Sequence, residues 1–160
     1  MASEPRLLGR GFYWQELTPG ERFRTYGRTI TSTDRSLFVG LAGMVEVLFT
    51  NADYARDHAA MRGEVCPGAL VLSIAEGLAL NATAQETGLA FLGMEMDIKR
   101  PVFAGDTIEL EIEVVEVRAE SKGTRGLVRT INTVRNQNGE VVMIYRPLRL
   151  MAGDPGAAEA

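Results

Sequence analysis

The chain has 160 residues, 46% of them hydrophobic, a formal charge of -4 at pH 7 and a pI near 5.1. That length suits one domain, able to bury roughly two-thirds of its unfolded surface without a disulfide or metal staple. The acidic balance leaves no basic face for phosphates and argues against nucleic acid as a partner, while the lone Cys66 excludes an internal disulfide or thiolate metal cluster and reads as a small buried thiol in a reducing compartment.

In chain order, residues 1–11 read as a flexible arm with no apolar stretch long enough for a signal peptide, so a cytoplasmic protein is expected. Residues 12–151 read as one domain and 152–160 as a disordered tail, too poor in apolar residues to fold. After a turn at Leu17–Gly20, Arg22 to Ile30 alternates as a first strand. Thr31, Ser32 and Thr33 then offer helix caps, Asp34 a first-turn carboxylate, and Leu37, Phe38 and Leu41 recur at helical spacing until Gly43. Asn51 caps a second short helix running from Ala52 to about Met61, which leaves 43–51 as a loop.

From Gly68, the residues Leu70, Val71, Leu72, Ile74, Leu78 and Leu80 are apolar on nearly every side, which predicts a central helix buried all round. Ser73, Glu76 and Asn81 interrupt this run, and it is too short to cross a bilayer, so no membrane is expected. Four strands follow, at Leu89–Lys99, Thr107–Arg118, Thr124–Asn136 and Glu140–Met151. Ile108, Leu110, Ile112 and Val114 alternate with acidic residues, and Val115 and Val117 switch phase, which predicts a bulge. Asn138-Gly139 signals a hairpin with a type I′ turn, and Ser121–Gly123 the turn before it. The order β-α-β-β-β-β gives an α+β fold in which a curved antiparallel sheet wraps one long helix. An unpaired edge strand would be covered by a homodimer or higher homo-oligomer.

The chemistry-bearing residues are few. One histidine, His58, excludes a His-rich metal site and reads as a solvated side chain beside Arg56 and Asp57. No nucleophile elbow, phosphate loop or dinucleotide fingerprint is present. Glu46 is the one carboxylate in an apolar loop: desolvation there would poise it as an acid or base, whereas exposure or pairing with an arginine would leave it an ordinary loop residue. Pro67-Gly68 opens the central helix, where free backbone N–H groups could polarise a thioester carbonyl, or Gly68 could serve the turn alone.

Pro19-Gly20-Glu21-Arg22-Phe23, Gly27-Arg28-Thr29-Ile30-Thr31, Asp53-Tyr54-Ala55, Pro67-Gly68, Arg100-Pro101-Val102, Gly105-Asp106-Thr107-Ile108 and Asn136-Gln137-Asn138-Gly139-Glu140 together resemble the MaoC-like, or (R)-specific enoyl-CoA hydratase, branch of the hotdog-fold superfamily. The resemblance implies a hotdog dimer, an acyl tunnel under the central helix, Gly68 N–H as oxyanion donor and addition or removal of water at an acyl-CoA thioester, with no cofactor beyond the CoA of the substrate. This chain departs from the family's usual Gly-Asp-Xaa-Asn-Pro-Leu-His loop, because Met44 falls at the aspartate and Phe49 at the histidine. Neither side chain transfers a proton. Two outcomes follow: a hydratase or dehydratase with a non-standard site built on Glu46, or a non-catalytic acyl-thioester binder or inactive partner subunit of an active homologue. Met44, Val47, Leu48 and Phe49 are the expected acyl-binding residues, with Arg100, and also Arg62, facing the CoA phosphates. Thioester hydrolysis by Glu64 or Glu76 is a third, lesser outcome.

Overall fold

The computed structural model describes residue 5 and residues 7–120 and 124–158. After a short 3-10 turn at Trp14–Glu16, the expected first strand is split into β1 (Arg22–Arg24) and β2 (Arg28–Thr29). The break at Gly27 brings the backbone so close to Thr107 that a Cβ there would lie 3.1 Å from its side chain. Helix α1 (Ser32–Ala42) starts on a capping box, with Asp34 N–H donating to Thr31 Oγ1 and Thr31 N–H to Asp34 Oδ2, and stops at Gly43 in the left-handed region at φ 66°. Its apolar residues do not all face inward as the spacing suggested. Leu37 and Leu41 are exposed, whereas Val39 and Arg35 are buried.

The loop expected at 43–51 contains one helical turn, α2 (Val47–Thr50). The next helix, α3 (Ala52–Asp57), is capped by Asn51 as read but ends four residues before Met61. Helix α4 (Gly68–Thr83) is the central helix. It buries one face, made of Leu70, Val71, Ile74, Ala75 and Ala79, rather than its whole circumference; Leu80 is exposed.

Strands β3 (Gly88–Ile98), β4 (Thr107–Ala119), β5 (Arg125–Asn136) and β6 (Val141–Ala152) match the sequence reading to within a residue or so. The sheet order is β1-β4-β5-β6-β3, with β2 also on β4, and every pairing is antiparallel. The bulge falls where the phase switch placed it, with the β4–β5 register slipping between Val114 and Glu116. The hairpin at Gly139 is not type I′. Asn136 pairs with Glu140 across a three-residue loop, and only Gly139 has positive φ, at 76°. The Ser121–Gly123 turn lies outside the described residues.

Ile108, Leu110 and Ile112 of β4, Val134 of β5 and Met143 and Tyr145 of β6 face α4 and form the core with it. Each such burial stabilises by about 1.5–3 kcal/mol. The tail read as disordered carries structure as far as residue 158. Ala152 ends β6, Gly153 N–H donates to Thr124 O, and Pro155–Ala158 forms a 3-10 turn, with Asp154 N–H donating to Gln15 Oε1. No described helix is long and apolar enough to cross a membrane.

Candidate functional site

Where the chain enters α4, Pro67 can donate nothing and the first N–H groups of the helix have no intrahelical acceptor. Beneath this end lies an apolar cavity of about 350 Å³. Gly68, Cys66 and Val71 form one side, Leu48 and Phe49 of α2 a second, and Ile98, Val102, Val142 and Met143 from the sheet end the rest. Gly68 leaves room for Ile98: a Cβ at this position would sit 2.5 Å from Ile98 Cδ1, so the end of that side chain would have to move. Lys99 and Arg100 lie at the rim. Arg100 is loosely paired with Glu140, Nε to Oε1 3.7 Å, and is more than half exposed.

Among the expected acyl-binding residues, Leu48, Phe49 and Arg100 line this cavity. Met44 and Val47 do not: Met44 precedes α2, and Val47, its first residue, is exposed. Glu46 is exposed at the N-cap of α2, two residues from Leu48, and also lies outside the lining. The burial that would have poised it is absent in the single chain. No carboxylate and no imidazole lines the cavity among the described residues. Its one ionisable thiol, Cys66, is 6% exposed, and burial pushes it up to about 11. A thiol in that state is protonated and inert at neutral pH.

The residues that sequence reasoning missed are Val65, Cys66, Ile98, Val102, Val142 and Met143, which converge from four segments separated in sequence. The one available signal was the apolar flanks of Arg100-Pro101, which place Ile98 and Val102 beside a family-like motif.

On the far side of Leu48 and Phe49 is a second cavity of about 430 Å³, lined by Arg35, Arg56, Arg62 and Glu64. Arg35 Nε donates to Val65 O at 2.8 Å, with its guanidinium 5.8 Å from the Phe49 ring centre, so it braces the wall between the two cavities. Arg56 is engaged by Asp53 and Asp57. Glu64 accepts from Ser32 Oγ at 2.5 Å. Glu76 is clamped by Arg149 Nη2 at 2.5 and 2.7 Å and lines neither cavity. His58 is exposed, leaning on Tyr54, and lines neither.

A family profile for the MaoC like domain matches residues 15–136. None of the curated proteins compared with this chain matches it. Among solved structures, a monoamine oxidase regulatory protein from Archaeoglobus fulgidus is 30% identical, with a TM-score of 0.81 over 93% of this chain and 100% of its own. An R-hydratase from Pseudomonas aeruginosa is 26% identical, with a TM-score of 0.73 over 90% of this chain and 87% of its own. A Mycobacterium tuberculosis protein with a double hotdog fold is 23% identical, with a TM-score of 0.82 over 91% of this chain and 45% of its own. The sheet wrapped around α4 is therefore a hotdog fold, and the chain belongs to the MaoC-like domain family.

Proposed function

We propose that this chain binds an acyl thioester, with acyl-CoA as the expected form, and acts in hydratase or dehydratase chemistry at that thioester. The observation that carries the reading is the apolar cavity opening onto the free backbone N–H of Gly68 at the start of α4. An acyl group suits the Leu48, Phe49, Val71 and Met143 walls. The thioester oxygen then meets the backbone donors and positive end of α4, which favour an oxyanion over a neutral carbonyl. Rim residues Lys99 and Arg100, with Arg62 beyond Phe49, face the phosphates of CoA.

Water must then be activated from outside the lining. Glu46 is the carboxylate on the segment that forms the cavity wall, and from its exposed position it acts through a water at the rim. A single carboxylate can both remove and return the proton in a syn addition. The alternative is a non-catalytic acyl-thioester binder or inactive partner subunit, a reading favoured by the absence of any carboxylate or imidazole among the described lining residues.

Strand β3 supports assembly. It is an 11-residue edge paired only to β6, and Leu89, Phe91, Leu92, Met96 and Ile98 along it are exposed. A second copy pairing antiparallel along β3 would cover that edge and bring its own strand beside Ile98 at the cavity mouth. The test is incubation with trans-2-enoyl-CoAs of increasing length, following loss of the conjugated thioester, with Glu46→Gln in parallel. Hydration lost in Glu46→Gln supports the enzyme; binding without turnover selects the binder; neither binding nor turnover refutes both.

A further inference from the structure

On the inner face of the sheet β5 presents Val128, Thr130, Asn132 and Val134 in alternation, all buried. Two of these four are polar in an otherwise largely aliphatic layer. Asn132 is completely buried, and neither its amide nitrogen nor its carbonyl oxygen makes a well-formed hydrogen bond among the described residues; the Tyr145 hydroxyl, its neighbour across on β6 and the one side-chain group in reach of it, is buried and left without a well-formed bond in the same way. The same is true of Thr130 Oγ1, in a residue 7% exposed. Thr130, Asn132 and Arg149 line a space of about 20 Å³, whose other walls include Ala79 of α4 and Ile112 and Val114 of β4. It lies under the second half of α4 and shares no lining residue with the acyl cavity.

Buried donors and acceptors are almost always satisfied, because leaving them bare forfeits their hydration without replacement. An aliphatic pair at these positions would cost nothing of that kind, so the polar side chains imply a polar guest. The size of the space agrees: about 10–15 Å³ is the least that admits a water, and about 20 Å³ leaves room for one. The donor set agrees. A water donates to Asn132 Oδ1 while accepting from Asn132 Nδ2, Thr130 Oγ1 or the Arg149 guanidinium. A halide would accept from the same donors but leave Asn132 Oδ1 bare, and it would face the Glu76 carboxylate clamped on Arg149. An acyl tail would satisfy none of them.

We propose that this space is a built hydration site, holding one internal water fixed by Asn132, Thr130 and Arg149, with the Tyr145 hydroxyl beside Asn132 completing the polar cluster. That water extends the Glu76–Arg149 pair into a network joining α4 to β5 and β6, and it makes the region behind the acyl cavity polar and occupied. The proposal stands on the buried side chains alone and is independent of the thioester reading.

The test is a crystal structure of the full chain at a resolution that shows waters, with a bromide soak, alongside oxygen-17 relaxation of the protein in solution. One isolated peak within hydrogen-bond distance of Asn132, with no bromide signal and one long-lived water by relaxation, is expected. A dry space or an anomalous bromide peak overturns it. A thermal cycle with Asn132→Leu and Thr130→Val adds a second reading: each substitution lowers Tm, and the double variant loses less than the sum, because both act on one water. Additive losses overturn the proposal. Should Asn132→Leu not fold, the wild-type crystal and relaxation results decide it.

Discussion

Replacing Glu76 and Arg149 by leucine, singly and together, isolates an ion pair whose side chains are only 18% and 10% exposed. At 2.7 Å the Coulomb attraction is about 6 kcal/mol at an effective dielectric of about 20. Desolvation of the two ions, several kcal/mol each, offsets most of it. The net value of the pair is therefore small, but either single substitution strands a buried charge and should cost about 3–5 kcal/mol. A chain of this size has about 8–24 kcal/mol in total, so each single variant loses a substantial share of its stability. The double variant should return to within about 1–2 kcal/mol of the parent. Urea unfolding at constant m-value measures all four corners of the cycle. Single losses below about 1 kcal/mol that simply add would mean a solvated pair and refute the reasoning. The same proteins address thioester hydrolysis by Glu76: a residue locked to Arg149 and remote from the cavity should leave acyl-thioester binding intact in the double variant.

Cys66 should resist alkylation at pH 8 in the native protein and react once urea unfolds it, because burial holds its thiol near 11; fast native-state labelling would contradict the buried placement. Gly126→Ala puts a Cβ into the Trp14 ring, and the overpacking should cost about 1–3 kcal/mol by urea unfolding. Asp34 is held below the ordinary aspartate value of 3.8, first by the Thr31 backbone N–H and then by its hydroxyl and Arg28. A lowered carboxylate stabilises the fold above that value and loses the contribution as pH falls through the folded one. Asp34→Ala should thus weaken the protein at pH 7 and narrow the difference from the parent at pH 3, read by thermal melts. An Asp34→Ala deficit as large at pH 3 as at pH 7 would contradict the capping role.

Leu92→Lys in the middle of β3 tests the assembly. It should shift a dimer toward monomer in light scattering, whereas an unchanged mass would place the interface elsewhere.

The strands were legible because their signals are local: alternation in β4, the phase switch at Val115 and the glycine at 139 each survive without knowledge of the partner strand. The helices were less so. Leu37 and Leu41 recur at the spacing of a buried stripe, yet α1 turns Val39 and Arg35 inward because Arg35 finds the Val65 carbonyl, a partner 30 residues away. Gly139 was read with the wrong turn, since Asn-Gly tolerates positive φ at both positions and only the β5–β6 register determines how many residues the loop contains. At the site, Gly68, Leu48, Phe49 and Arg100 were accessible from helix-start chemistry and family motifs. The apolar neighbours of Glu46 in sequence leave burial and exposure both open, and the structure selects exposure, because a single helical turn leaves an N-cap side chain in solvent. Val142 and Met143 carried no signal of their own, because they reach the cavity only through the pairing of β6 beside β3.

The most direct test of the acyl-thioester reading is calorimetric titration of the chain with acyl-CoAs, beside Ile98→Trp. Ile98 is 56% exposed and lies at the mouth against Gly68, so a tryptophan there can be accommodated by the fold while obstructing entry. Saturable binding that weakens at least about tenfold in Ile98→Trp, a change of about 1.4 kcal/mol, is the expected result. Absence of binding, or equal affinity in the two proteins, would contradict placement of the acyl group beneath α4.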